Sequence, residues 1–194
     1  MASVDPPRRV RKSPSARRAE LVATAREVFA AGGPADAGVA DVASAANVSK
    51  GLLYHYFPAG RSDLVDAVGA QLVEELTERV AAAAAVPFSD IARLEQVLAA
   101  IFAYFDDTPV AYQVLFVVPG DDETGPRHHV RAWLTGELTS LLAGSGVPVD
   151  ELLAASAGLL GFVLANVELC LTGLLDAESA WRASCRCARA LLST

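Results

Sequence analysis

The segment of this sequence that most plainly could do chemistry runs from Asp41 to Phe57 and reads Asp-Val-Ala-Ser-Ala-Ala-Asn-Val-Ser-Lys-Gly-Leu-Leu-Tyr-His-Tyr-Phe. Two short helical patterns meet in it across a turn at 46–48. Ala43 is small enough to let the two helices touch, and Asn47 tolerates the left-handed backbone that a tight turn needs. The inward positions that lock the second helix onto the first are Val48, Leu53 and Tyr56. The spacing predicts a helix-turn-helix.

The outward side chains of the second helix suit a nucleic acid. Ser49 is placed to cap the helix and direct its N-terminus toward a groove or phosphate. Lys50 can neutralise a phosphate, Gly51 permits close backbone approach, and Leu52 can contact a thymine methyl group. Tyr54 and His55 each offer one polar group to phosphates or base edges. An ordinary helical hairpin with a solvated basic face is the alternative interpretation, because many helical pairs imitate this spacing.

The stretch from Arg18 to Val68 resembles the N-terminal DNA-binding domain of TetR-family transcriptional regulators. The matching patterns are Leu21-Val22-x-x-Ala25-x-x-Val28-Phe29-x-x-x-Gly33, Val39-x-Asp41-Val42-Ala43, Val48-Ser49-x-Gly51-x-Leu53-Tyr54-x-Tyr56-Phe57 and Arg61-x-x-Leu64. The resemblance implies DNA contacts from Ser49, Lys50, Gly51, Leu52, Tyr54 and His55, and a phosphate contact from Arg61 at the start of the fourth helix.

The sequence departs from the family pattern at four places. Pro58-Ala59-Gly60 is one residue longer than the usual link, and Asn47 stands where glycine is commonest. Ala40 replaces a polar or basic side chain, and Ala37-Gly38 lacks the usual Ser/Thr cap. The basic arm between Arg8 and Arg18 either compensates by reaching a minor groove or is a solvated tail.

Charge is divided unequally along the 194 residues. Residues 1–61 carry nine Lys/Arg against five acids, a net +4, and residues 62–194 carry seven Arg against eighteen acids, a net −11. The net charge of −7 therefore conceals a basic head that suits a polyanion and an acidic body that does not.

The elements around the motif are helical. Apolar periodicity near 3.6 and the Gly/Pro breaks predict an all-α fold of about nine helices, and no useful length alternates with period two. We divide the chain into a flexible basic arm (1–16), a three-helix helix-turn-helix DNA-binding domain (17–61) and a helical ligand-binding and dimerisation domain (62–194). The helices expected in the third part cover roughly 63–85, 89–105, 109–119, 127–143, 150–175 and 178–192.

The C-terminal helices predict a homodimer. The pattern between residues 150 and 175 is apolar on both sides, so it must be covered on both. We predict a two-fold four-helix interface with the last helix. A single thick core burying both faces within one chain is the alternative. The seam of mostly small residues comprises Ala154, Gly158, Gly161, Ala165, Glu168 and Thr172, and the last helix adds Trp181, Cys185, Ala188 and Leu192.

Aromatic residues fall where the resemblance implies a ligand cavity. They are Phe102, Phe105, Tyr112, Phe116, Trp133 and Phe162, with Asn166 as a polar group that can orient a ligand. Aromatics at helical spacing belong to a core about as often as to a pocket. The implied effector is a small apolar or amphipathic molecule.

Several classes of protein are disfavoured. Three cysteines near the C-terminus do not make a secreted disulfide framework, so we expect a cytoplasmic protein. A membrane span at 152–175 is disfavoured because Asn166 and Glu168 lie near its middle. A metal at His128-His129 is disfavoured because adjacent histidines point apart on a helix. No catalytic motif and no cofactor site is recognised, so we expect no enzyme.

The function predicted is a ligand-responsive dimeric DNA-binding regulator, most simply a repressor released from a palindromic operator. The alternatives are an activator of the same family and a helical small-molecule-binding protein without a DNA function.

Overall fold

The computed structural model describes residues 13–85, 90–118, 124–143 and 146–192. In these ranges the chain forms nine α-helices and one π-helical segment, and contains no strand. The helices are α1 (Pro14–Gly32), α2 (Val39–Ala45), α3 (Lys50–Tyr56), α4 (Arg61–Ala84), α5 (Asp90–Asp107), α6 (Pro109–Tyr112), α7 (Pro126–Leu142), α8 (Leu152–Leu171) and α9 (Ala177–Leu191), and the π-helical segment is Gln113–Val117. The predicted all-α fold is confirmed.

The three N-terminal helices form a small head with its own core. The residues at its centre are fully buried: Leu21, Ala25, Phe29, Val42, Leu53 and Phe57. Gly33 ends α1 with a φ of 81°, a left-handed conformation that glycine adopts without steric cost. The first helix therefore ends at a glycine break, as the sequence predicts.

Helix α4 joins the head to the body. It packs against α1 on the head side and against α5, α7 and the π-helical segment on the body side. Its buried residues follow helical spacing from Leu64 through Leu72 to Val80. Tyr104 of α5 is fully buried and donates its hydroxyl hydrogen to the Leu72 carbonyl oxygen at 2.8 Å.

Three boundaries differ from the prediction. Helix α1 begins at Pro14, inside the predicted arm, because the Ser13 hydroxyl caps it by accepting from the Ala16 amide at 3.2 Å. The helix expected from 109 to 119 is a four-residue α6 followed by the π-helical segment. Helix α8 ends at Leu171, four residues early, before Gly173 with its φ of 73°. Residues 1–12 of the predicted arm lie outside the described residues.

Candidate nucleic-acid interface

The turn between α2 and α3 has the geometry that the sequence predicts. Asn47 adopts a φ of 51°, and among the described residues it is the one non-glycine with positive φ. The Val48 amide donates to the Ala43 carbonyl at 3.0 Å, which brings the start of α3 back onto α2. Ala43 is buried at this crossing, where a larger side chain would separate the helices.

Helix α3 is fixed at its first turn and by one apolar face. The Ser49 hydroxyl accepts from the Leu52 amide at 3.2 Å, which satisfies one of the free amides of the helix N-terminus. Leu53 is fully buried beneath the helix, and Tyr56 packs against the core from a half-buried position. The remaining surface of α3 faces away from the head.

The predicted contact positions lie on that outward surface. Ser49, Lys50, Gly51 and His55 are exposed, and Leu52 is half-buried. Tyr54 is 50% exposed, and its ring covers Gly60, where a Cβ would lie 3.1 Å from the ring edge. A compact polar and basic surface, interrupted by Leu52, therefore follows the N-terminal turn of α3.

Arg61 makes a contact within the chain that the resemblance does not imply. Its Nε donates to the carbonyl oxygen of Pro34 at 3.1 Å, and Nη2 donates to the same oxygen. The guanidinium therefore ties the start of α4 to the turn between α1 and α2. The link Pro58-Ala59-Gly60 is one residue longer than the usual one, which is consistent with a displaced Arg61, but the contact with Pro34 itself was not predicted.

Helix α1 supplies a second basic side chain near the recognition helix. The Arg18 guanidinium carbon lies 5.1 Å from the centroid of the buried Phe57 ring, at cation–π distance. Asp41 of α2 accepts from the amide of the N-cap residue Gly38 at 2.8 Å, but Gly38 has no side chain to make the reciprocal bond of a Ser/Thr cap.

Ion pairs connect the head to the body through α4. Arg26 of α1 pairs with Glu75 of α4 through both terminal nitrogens, and this hydrogen bond raises the pKa of Arg26. One turn further along α4, Arg79 pairs with Asp107 of α5 at 2.7 Å.

Arg127 of α7 makes the most deeply buried of these links, and the sequence analysis did not identify it. It is only 6% exposed; its Nε donates to Asp66 of α4 at 3.2 Å, and its Nη1 donates to the carbonyls of Val114 and Val118 in and after the π-helical segment. Gly69 of α4 makes room for it, since a Cβ there would lie 2.7 Å from Arg127 Cδ. A single Gly in a helical pattern was the available signal.

The predicted ligand aromatics are only partly brought together. The rings of Phe105, Tyr112 and Phe116 cluster with centroids 5.6–6.0 Å apart. Phe102 and Phe105 are buried, and the space beside them holds about 40 Å³, far below the several hundred that a drug-sized ligand needs. Phe102 and Phe105 are therefore core residues in this structure.

The other three predicted ligand residues do not join this cluster. Phe162 is 40% exposed on the outer face of α8. Asn166 is buried, but its Nδ2 donates back to the Phe162 carbonyl at 2.9 Å, within its own helix. Trp133 is half-buried on α7. Phe162 was assigned to a ligand site from its aromatic type alone, which does not indicate the face of α8 on which it lies.

The small-residue seam of α8 is exposed in the single chain. By length and composition, α8 could cross a membrane, yet residues on its opposite face, such as Leu159, Val163 and Val167, are buried against the subunit core. The described structure therefore does not bury both faces of α8 within one chain. The exposed members are Ala154, Gly158, Gly161, Ala165, Glu168 and Thr172.

Helix α9 presents its predicted interface residues to the core instead. Cys185 and Ala188 are buried, Trp181 and Leu192 are half-buried, and the helix packs on α5 and α8. Because α9 has one apolar stripe, that stripe covers the subunit's own core. Burial raises the pKa of the Cys185 thiol to about 11.

Polar groups beside the seam are linked to each other. The Tyr112 hydroxyl donates to Glu168 Oε2 at 3.1 Å; burial is the larger cause, and this contact the second, that raises the pKa of Tyr112.

His129 Nδ1 lies 3.0 Å from the Gly125 carbonyl oxygen at the start of α7. Within the described ranges, no three His, Cys, Asp or Glu side chains are grouped to hold a metal ion.

Comparison with known proteins identifies the head. Residues 21–68 match the model of the family described as bacterial regulatory proteins, tetR family. The HTH-type transcriptional regulator LuxR of Vibrio harveyi is 42% identical over 69 residues, which is 36% of this chain and 33% of that regulator. The chain thus matches about a third of the length of this curated relative.

Solved structures share the whole fold. A TetR-like transcriptional regulator from Rhodococcus sp. RHA1 superposes with a TM-score of 0.75 at 20% identity, covering 94% of this chain and 99% of that one. A TetR-family transcriptional regulator from Streptomyces coelicolor superposes with a TM-score of 0.73 at 22% identity, covering 91% of this chain and 94% of that one. At these identities, the likeness beyond the head concerns the fold.

Proposed function

We propose that this chain, whose residues 21–68 match the tetR family model, is a transcriptional regulator that binds a palindromic DNA operator as a homodimer and leaves it when a small molecule binds the body. The proposal assigns residues 17–61 to DNA and 62–194 to dimerisation and the effector, in a cytoplasmic protein without a catalytic role. We propose repression, because a dimer that covers a duplex blocks other proteins from the same DNA.

The observation that carries the proposal is the outward surface of α3. Lys50, Tyr54 and His55 are exposed there, beside a helix start capped by Ser49. The first 61 residues have a net charge of +4, whereas the remainder has −11. Phosphates attract the first part and repel the second, so binding would orient α3 toward the groove.

The exposed seam of α8 supports the homodimer. A soluble regulator gains by covering Gly158, Gly161, Phe162 and Ala165, and a two-fold axis lets the same residues of a second copy do so. Two recognition helices would then meet half-sites about one helical turn, roughly 34–36 Å, apart.

Selection from a random duplex library tests this function. The full chain should enrich a palindrome, and gel shift at moderate salt should show preference for it over random DNA. His55→Ala should weaken binding to the preferred duplex and reduce base preference at one position of each half-site, since a base contact contributes about 1–3 kcal/mol.

His129→Ala, the same substitution in the body, is the matched control and should leave both unchanged. Equal affinity of the wild-type chain for selected and random duplexes would refute the proposed function.

A further inference from the structure

A cleft of about 490 Å³ opens where the π-helical segment meets the first turns of α7. It is distinct from the aromatic cluster, although Phe116 borders both. The volume lies in the range of small-molecule sites in proteins. One wall is apolar, and the other carries basic side chains. The lining includes Phe116, Val117 and Val130 on the first wall, and Arg127, His128 and Arg131 on the second.

The charge of the cleft is opposite to that of the body around it. Two arginines and a histidine line it, and no carboxylate belongs to its described lining. The segment that contains it, residues 62–194, has a net charge of −11. Asp66 approaches Arg127 from α4. This local excess of positive charge favours an anion.

Arg127, which lines the cleft, retains one unused donor. Nε and Nη1 have the partners described above, but Nη2 is enclosed and has no hydrogen-bond partner among the described residues. A buried guanidinium nitrogen normally has a partner, so Nη2 is a donor that a further acceptor can satisfy.

The apolar wall of the cleft is exposed to solvent at its mouth. Val117 is 60% exposed at the mouth of the cleft, next to the half-buried Phe116 ring. The Arg131 guanidinium lies 5.3 Å from the centroid of that ring and is itself exposed. An apolar group on Val117 and Phe116 would therefore place a neighbouring carboxylate beside Arg131.

We propose that this cleft is the effector site, and that it takes a small organic carboxylate with an apolar tail. This inference rests on the proposed function. The tail packs on Val117 and Phe116, and the carboxylate accepts from Arg131, His128 and the unused Nη2 of Arg127.

The site is connected to the DNA-binding head. Arg127 holds both the π-helical segment and Asp66 of α4, the helix that directly follows the recognition helix and its link. Because Nη2 is enclosed, a ligand that pairs with it shifts Arg127 or its neighbours. Such a ligand favours a conformer in which α4 has moved, and so changes DNA affinity.

The chain itself contains a competing anion. Asp121, Asp122 and Glu123 lie outside the described residues and follow Val118 within five positions of the sequence. The experiment must therefore separate an added carboxylate from these side chains.

Calorimetric titration of the full chain with hexanoate, decanoate, dodecanoate and phenylacetate tests the site. At least one should bind, and the matching alcohol should bind at least about tenfold more weakly. Arg131→Gln should lower the affinity for the carboxylate about tenfold or more, as expected from the loss of a charged contact. Arg182→Gln, the same charge change at an exposed residue of α9, should bind like the wild type.

Three results would overturn the inference. They are no binding by any probe, equal affinity in Arg131→Gln and wild type, and binding that appears only after Asp121→Asn, Asp122→Asn and Glu123→Gln are combined. The last would show that the chain's own acids occupy the cleft.

Gel shift with and without the bound probe then separates site from function. A carboxylate that binds through Arg131 should change operator affinity. Binding without that change would overturn the effector role of the cleft and leave the DNA-binding function standing. A ligand-free chain that prefers no DNA sequence is instead a failure of the proposed function.

Discussion

Gly69 and Arg127 provide a test in which one substitution, Gly69→Ala, should destabilise the wild-type chain and stabilise a variant that lacks Arg127. In the wild-type chain a Cβ at residue 69 would lie 2.7 Å from Arg127 Cδ. Arg127 cannot withdraw freely, because its guanidinium is held by Asp66, Val114 and Val118. Overpacking costs about 1–3 kcal/mol, whereas replacing a helical glycine by alanine stabilises by about 1 kcal/mol. Gly69→Ala should therefore give a net destabilisation of up to about 2 kcal/mol.

The same substitution should stabilise a chain that lacks the arginine. Arg127→Ala alone should cost about 3–5 kcal/mol, because it leaves a partly buried Asp66 and two carbonyls without the guanidinium. In that background the clash is gone, and Gly69→Ala should add back about 1 kcal/mol from helix propensity.

Urea unfolding of all four proteins at one protein concentration gives the four free energies of this cycle. An equal loss from Gly69→Ala in both backgrounds would refute the packing argument.

Four further outcomes follow from single contacts. Asn47→Val should lower the free energy of unfolding by about 1–2 kcal/mol in thermal melts, since a β-branched residue resists φ near 51°, whereas Asn47→Gly should not destabilise. Ser49→Ala should cost about 1 kcal/mol, and Ser49→Asp should restore the cap but weaken DNA binding in gel shifts, because its charge faces phosphate. Burial raises the pKa of Tyr104, so on raising the pH the unfolded chain loses the hydroxyl proton before the folded chain does. The free energy of unfolding should therefore fall as pH rises past the ordinary tyrosine pKa of about 10. In urea titrations Tyr104→Phe should make that fall less steep, and the buried Cys185 thiol contributes equally to both proteins. Gly161→Glu should convert the proposed dimer to a monomer in light scattering without unfolding the chain, since Gly161 is exposed on α8; an unchanged mass would contradict the proposed dimer interface.

The head could be predicted from sequence because its constraints are local. The Asn47 turn, the Ser49 cap and the buried Leu53 depend on residues a few positions apart, and each is found in the structure. The hydrogen bonds of Arg61 were not predicted, because their acceptor, the Pro34 carbonyl, is 27 residues away and a backbone atom. Sequence spacing carries no signal for such a contact.

The body was predicted less completely because its helices have more than one apolar face. Periodicity separated the buried and exposed sides of α8, but Phe162 was assigned to a ligand cavity from its aromatic type, and it lies 40% exposed. Periodicity also assigned Cys185 and Ala188 to a partner, although a single apolar stripe on α9 is needed by the subunit's own core. The link between Arg127 and Gly69 joins residues far apart in sequence, so packing had to be seen before either could be interpreted.

The salt dependence of operator binding tests the central claim most directly. If Lys50 of each subunit neutralises one phosphate, Lys50→Ala should weaken binding and make the slope of log affinity against log salt less steep by roughly 2 for the dimer. Arg182→Ala, which removes one positive charge from exposed α9, should leave the slope unchanged. Equal slopes for wild type and Lys50→Ala, or equal losses in both variants, would contradict a DNA interface on α3.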